Sequence, residues 1–253
     1  MSARLARITR FPIKAIGDEG LQKVALTAGE VLPKDRAFAV IHDAGARHLD
    51  VHGEVGGWLP KAAFLRGVAG SQLQAIRGRR QVDGRLALMH PLAGKFLFSG
   101  LSDGPALIDW LRPLWPEDRP QPLKLVAAPV ALTDMRQRYV SILSLSSLAA
   151  LEAAEGRVFG PERWRGNFWI EGLAPWVERD WTGRRLRIGG AELIVRQRIT
   201  RCHATSANTE TGEVEIDMLA ALKSLQGDAD FGVYAEVISG ADVTMGDRVE
   251  VLA

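Results

Sequence analysis

The chain has one cysteine, Cys202, in the segment RITRCHATSANTETGEVE at 198–215, with Arg198 and Arg201 before it and His203 after it. Cations near a thiol favour the thiolate, the form that binds soft metals or attacks sulfur. A free cysteine also serves as a small buried hydrophobe, but the polar run after Cys202 is unlike a core segment. A metal ligand and a nucleophile both fit this position. His203 reads as an inert neighbour, because alternation along a continuing strand turns it away from Cys202. Three further stretches carry side chains suited to anions. In RFPIKAIG (10–17) a proline-fixed backbone presents Lys14 ahead of Gly17. In LPKDRAF (32–38) Asp35 and Arg36 stand where a strand begins. In RWRGNFWIEG (163–172) Arg163, Arg165 and Asn167 alternate with Trp164 and precede Phe168 and Trp169. Each also reads as plain structure: a turn at Asp35–Arg36, and a half-buried strand with stacked guanidinium groups at 163–169.

Several classes drop out. The sequence has no G-x-S-x-G elbow, no H-E-x-x-H and no P-loop, so hydrolase and nucleoside-triphosphatase chemistry lack support. One cysteine excludes a disulfide within the chain, and an iron–sulfur cluster or multi-cysteine zinc site built from this chain alone. It fits a reducing compartment. A net charge of +2 is too mild to argue for nucleic acid, and RGRR at 77–80, the densest basic run, is expected to be a solvated loop. No apolar stretch approaches the roughly 18 residues of a membrane span, and the N-terminus lacks a signal-peptide run. The expectation is a cytoplasmic protein without a membrane partner.

These residues need elements to position them. LQKVAL (21–26), RAFAVIHD (36–43) and GRLALMHP (84–91) predict strands, LRIGGAELIVRQR (186–198) a hairpin turning at Gly189–Gly190, and FGVYAEVIS (231–239) with DRVEVL (247–252) a final pair. SSLAALEAAEG (146–156), with Ser146 or Ser147 as N-cap and Gly156 as stop, predicts a helix. IDMLAALKSL (216–225) and GPALIDWLRPLW (104–115) predict two more. Proline-rich WLRPLWPEDRPQPLKL (110–125) reads as a linker dividing the chain into 1–115 and 116–253. The fold class is α+β and β-rich, with two β-barrel-like domains and a few helices.

In this order the stretches resemble the MOSC family, named for the C-terminal domain of molybdenum-cofactor sulfurase. FPIK and GEVLPKDR resemble the N-terminal β-barrel domain that accompanies MOSC, with one residue more between Gly29 and Asp35 than its pattern has. Arg165-Gly166-Asn167, Glu178 with Trp181, Ile188-Gly189 and Arg201-Cys202 are similar to the MOSC pattern, as is the closing FGVYAEVISGADVTMGDRVEVL. The resemblance implies a molybdenum–pyranopterin cofactor between the two domains. It implies Cys202 as metal ligand and catalytic residue, and Lys14, Arg36 and Arg165 around the cofactor's phosphate. Ser146 would add a hydroxyl or a helix N-terminus there, and Asn167 would line the groove. Ala15 stands where relatives often offer a hydroxyl.

Such relatives reduce N-hydroxylated small molecules such as amidoximes and hydroxylaminopurines. A molybdenum-dependent oxidoreductase of this kind would take electrons from a separate ferredoxin- or flavin-type donor protein, since the chain lacks cluster-forming cysteines. Trp164 and Trp169 would offer a stacking surface to a flat substrate, or pack in the core. Two alternatives stand beside it. One is a sulfur carrier with a Cys202 persulfide; in the full sulfurase a pyridoxal-phosphate domain generates it, and this chain is too short to include one. The other is a non-enzymatic carrier of the cofactor or another anion.

Overall fold

The computed structural model describes residues 3–252. In chain order the elements are β1 (Arg4–Arg10), β2 (Glu19–Leu21), β3 (Lys23–Ala25), β4 (Phe38–His42), β5 (Arg77–Arg80), β6 (Leu86–His90), β7 (Gly94–Phe98), α1 (Gly104–Leu111), β8 (Pro122–Ala127), β9 (Val140–Ser144), α2 (Leu145–Glu155), β10 (Phe168–Glu171), β11 (Arg185–Ile188), β12 (Ala191–Thr200), α3 (Met218–Gln226), β13 (Asp230–Ser239), β14 (Asp242–Thr244) and β15 (Val249–Leu252). Short 3₁₀ turns fill several connections. The α+β, β-rich class is the observed one.

The largest sheet runs β15-β11-β12-β13-β9-β10-β1-β2. Its ends approach each other: Val249 N donates to Ala3 O at 2.9 Å, and Gly246 N to Leu5 O at 2.7 Å. The sheet therefore curls around its own apolar face. Strand alternation supplies that face, with Val140 and Ile142 on β9, Phe168 and Ile170 on β10, and Val233, Ala235 and Val237 on β13. The same alternation turns Ser141 and Tyr234 outward to a cleft. β9 and β10 are parallel, joined through α2 in a βαβ unit. The α2 cap is Ser144, not Ser146 or Ser147: Ser144 Oγ accepts from Ser147 N at 3.3 Å. Gly156, at φ 63°, ends the helix.

A second core lies under β4–β8, β5–β6–β7 and α1, built from Ile13, Val40, Leu88, Phe98, Leu107 and Leu111 among others. Strand pairing does not part at 115/116. β8, which begins within the proline-rich stretch, pairs with β4, while β1 and β2 join the large sheet. Three expectations are corrected. RGRR is strand β5 rather than a loop; Arg77 and Arg80 pair with Asp18 and Glu19, so two carboxylates hold the strand. The final two strands do not pair with each other: β15 pairs with β11, and β13 lies between β12 and β9. LQKVAL breaks at Gln22, because β2 follows the large sheet and β3 turns to pair with β14.

Candidate functional site

Chain crossings between the two cores build the site. β1 leaves the large sheet at Arg10, and the next residues run into the second core, where Phe38 N donates to Pro12 O at 3.0 Å and Lys14 N to Phe38 O at 2.8 Å. Asp35 is buried beside this crossing; its Oδ1 accepts from Phe11 N at 2.8 Å and its Oδ2 pairs with Arg36. Arg36 N donates to Phe11 O at 2.7 Å. The Arg36 and Arg165 guanidinium groups both lie on the Phe11 ring, 4.5 and 4.3 Å from its centroid. Arg36 Nη2 reaches Arg165 O at 3.3 Å, and Arg165 Nη1 reaches Gly17 O at 3.0 Å.

These side chains open into one cleft of about 350 Å³ between the cores, within the range of small-molecule sites. Lys14, Arg36, Arg165, Asn167 and Cys202 all line it. Ser146 is the exception among the expected contacts. It lies in the first turn of α2, outside the cleft lining, because Ser144 caps the helix. His203 is exposed and also lies outside the lining.

The cleft carries more positive charge than the protein neutralises. Lys14 is 4% exposed and donates to Leu132 O at 2.9 Å and to Asp134. Burial lowers its pKa; Asp134 opposes that, while Arg36 and Arg165 add to it. Burial likewise pushes Arg165 down to about 9, with the Arg36 charge adding to the shift. Arg165 Nη2 is buried with no hydrogen-bond partner. A buried orphan donor beside two other cations asks for an anion. The backbone adds a second sign: Ala15, Arg36 and Arg165, all on the cleft, have φ of 61°, 48° and 50°. Side-chain-bearing residues avoid that region, and such strain concentrates at functional sites.

Asn167 lines the cleft, but its amide is engaged by the protein. Its Oδ1 accepts from Ser141 N and Oγ at 3.1 and 2.9 Å, and its Nδ2 donates to Thr9 O at 3.2 Å. It ties β1, β9 and β10 together beneath the site. The 163–165 segment is a 3₁₀ turn rather than a strand. Trp164 and Trp169 are packed in the core, Trp164 stacked on Phe231 at 4.0 Å between centroids. They do not form an open platform. Arg163 is also structural, donating to Thr205 O, Ala207 O and Glu215.

Cys202 lies two residues beyond the end of β12, where the chain turns into a 3₁₀ segment, and is exposed at the cleft. Arg201 donates to Phe231 O and Trp164 O, which fixes the backbone on which Cys202 sits. Burial pushes Arg201 down to about 10, with the neighbouring Tyr234 and Cys202 opposing the shift. Tyr234 lines the same cleft and burial raises its pKa, so its phenol keeps the proton. Sequence reasoning missed Tyr234, although alternation with Val233 and Ala235 marks it as facing away from the core. It also missed Asp134, which lies in an irregular loop and has no such signal.

Among the described residues, no three His, Cys, Asp or Glu side chains cluster in a metal-binding group. The exposed thiol and the orphan guanidinium in one cleft fit an anionic, sulfur-bearing group.

Residues 125–250 match the model of the MOSC domain. Among solved structures, the YUAD protein from Bacillus subtilis aligns at 13% identity over 99% of this chain and 96% of its own, with a TM-score of 0.46. YiiM from Geobacillus stearothermophilus aligns at 14% identity over 71% of this chain and 73% of its own, with a TM-score of 0.36. YiiM from Escherichia coli aligns at 19% identity over 45% of this chain and 54% of its own, with a TM-score of 0.34. No curated protein gives a significant sequence match. Among the described residues no helix is long and apolar enough to cross a membrane. The domain match spans Arg165 and Asn167, just before β10, and Arg201 and Cys202, just after β12, and through this domain the chain belongs to the MOSC family.

Proposed function

We propose that the chain binds a molybdenum–pyranopterin cofactor in the cleft and reduces N-hydroxylated small molecules with electrons from a separate donor protein. The observation that carries this reading is an exposed thiol in the same cleft as three cations whose charge the protein leaves incompletely balanced. Lys14, Arg36 and Arg165 would hold the phosphate, two as planar forks and one as a point charge. Cys202 thiolate would ligate the metal, a soft donor for a sulfur-rich centre. When bound, the cofactor supplies redox chemistry and an exchangeable oxygen. Tyr234 presents a protonated hydroxyl to the cleft, a donor for an oxygen or nitrogen of the substrate. The single cysteine leaves electrons to come from a ferredoxin- or flavin-type partner.

The test uses protein from a host that makes the cofactor, with a low-potential chemical reductant in place of the donor. Turnover of a hydroxylaminopurine or an amidoxime is expected, and its loss in Cys202→Ser. Metal-loaded protein without turnover on a panel of such substrates contradicts the reductase reading.

A sulfur-carrier reading draws on one observation, the exposure of Cys202, which leaves it within reach of a partner. A persulfide there would give the Cys202 peptide the mass of one extra sulfur atom, removed by a thiol reductant. Pyridoxal phosphate, associated with the family through the sulfurase, would then belong to the sulfur donor.

A further inference from the structure

Basic side chains along the cleft outnumber its two carboxylates, Asp35 and Asp134. Most of the bases have assigned partners: Arg163 and Arg201 hold backbone carbonyls, Lys14 meets Asp134, and Arg36 meets Asp35. Two bases differ, Lys61 and Arg66: both line the cleft and, among the described residues, neither makes a side-chain hydrogen bond or ion pair, but Lys61 is exposed while Arg66 is half-buried.

The backbone around Arg66 is anchored. Leu65 N donates to Val40 O at 2.9 Å, and Arg66 O accepts from Ala69 N and Gly70 N at 3.0 and 3.1 Å. The same segment packs on the turn that carries Cys202. Gln74 Nε2 donates to Ala204 O at 2.8 Å, and a Cβ placed on Gly67 would come within 3.3 Å of the Ala204 Cβ. One core thus anchors the backbone that carries an uncommitted guanidinium, in the same cleft as the thiol carried by the other.

We propose that Arg66 forms a second anion site at the mouth of the cleft, and that the small molecule admitted to Cys202 carries an acidic group, a carboxylate or a phosphate. This rests on the reading of the cleft as a small-molecule site, and is separate from the question of its metal. A guanidinium suits either acid, because its fork matches two oxygens at once. Its anchored backbone leaves only the side chain to be ordered on binding.

Cys202 is the only thiol in the chain, so alkylation reads this position alone. The full chain, from a host that cannot make molybdenum cofactor, is treated with iodoacetate, an anion, and iodoacetamide, its neutral counterpart. The ratio of the two rates cancels the thiolate fraction and reports the local field. The same protein unfolded in urea is the reference. The folded protein is expected to favour iodoacetate over that reference, and Arg66→Gln to lower the ratio about three- to ten-fold, the size of one nearby charge in a partly solvated site. Arg66→Lys retains most of the effect, and added salt flattens it. A folded ratio equal to that in urea, or an Arg66→Gln variant with native circular dichroism and an unchanged ratio, overturns the proposal.

Protection from iodoacetamide then identifies the acid. Phenyl phosphate, benzoate and uncharged benzyl alcohol are compared. Protection by phenyl phosphate assigns a phosphate site and protection by benzoate a carboxylate site, each lost in Arg66→Gln. Protection by benzyl alcohol equal to both acids also overturns it. Alkylation needs neither metal nor turnover, so failure of the molybdenum reading leaves this result untouched.

Discussion

At the scale of single residues, Arg165 shows how the cleft is prepared for a ligand. Its backbone is held at φ 50°, its guanidinium rests on Phe11, and one of its nitrogens is buried without a partner. A bound anion favours the charged form, so binding raises the Arg165 pKa above about 9 and takes up protons. Affinity for a non-titrating anion such as sulfate should therefore fall as pH rises through about 9, which calorimetry at several pH values would read. Affinity that stays flat or rises through that range contradicts a binding role for this charge. Cys202 makes a contrasting prediction. It is exposed and bears no core contact of note, so Cys202→Ser should change the melting temperature by less than the equivalent of about 0.5 kcal/mol. A large loss of stability would mean the thiol is structural. Lys14, Arg36, Arg165 and Cys202 were legible in the sequence because residue type and family order point the same way. Asp134 and Arg66 were not, because an irregular loop gives no periodicity from which to infer direction.

At the scale of elements, two buried polar groups hold the frame. Asn167 bonds Ser141 on β9 and Thr9 on β1. Replacing it with Ala removes this partner from Ser141 N and Thr9 O, while Ser141 Oγ keeps its bond from the residue 167 backbone N, and Asn167→Ala should cost about 2–4 kcal/mol in chemical denaturation. A cost below about 0.5 kcal/mol would show that these bonds are not needed. Glu178 is fully buried and accepts from Ser147 Oγ at 2.9 Å, which ties α2 to the turn at 177–180. Burial raises its pKa above the usual 4.5, with the Ser147 bond opposing. A raised carboxyl pKa favours the protonated form in the folded state. Its contribution to stability is present below about 4.5 and declines as pH rises through the folded value. Glu178→Gln mimics the protonated acid, so it should remove this dependence and keep the fold at neutral pH, while Glu178→Ala destabilises it. Melting curves from pH 4 to 8 distinguish the two outcomes. The helices and about half of the strands were legible, since stop glycines and alternation are local signals; the α2 cap fell on Ser144 rather than on either expected serine, and β1, β7, β8 and β9 were not expected. Pairing was not legible. β15 pairs with β11, and RGRR becomes β5 through Asp18 and Glu19, partners far away in sequence.

At the scale of the whole molecule, the chain passes between its cores more than once, and those passages make the cleft. β1 starts in the large sheet, β8 still pairs within the second core at the end of the proline-rich stretch, and β9 re-enters the large sheet. Composition located that stretch but not the crossings, because proline marks where regular structure pauses and not where the next strand pairs. The expected group, Lys14 and Arg36 from one part of the chain and Arg165 and Cys202 from another, lies on one surface because of those crossings. The most direct measurement of the central claim is molybdenum and pterin content, by elemental analysis and fluorescence of the oxidised pterin. It would be made on wild-type, Cys202→Ser and Arg165→Ala proteins purified from a host that makes the cofactor. The account predicts near-equal molybdenum and pterin in the wild type, loss of molybdenum in Cys202→Ser, and loss of both in Arg165→Ala. Wild-type protein free of both, or variants that hold both at the wild-type level, would contradict it.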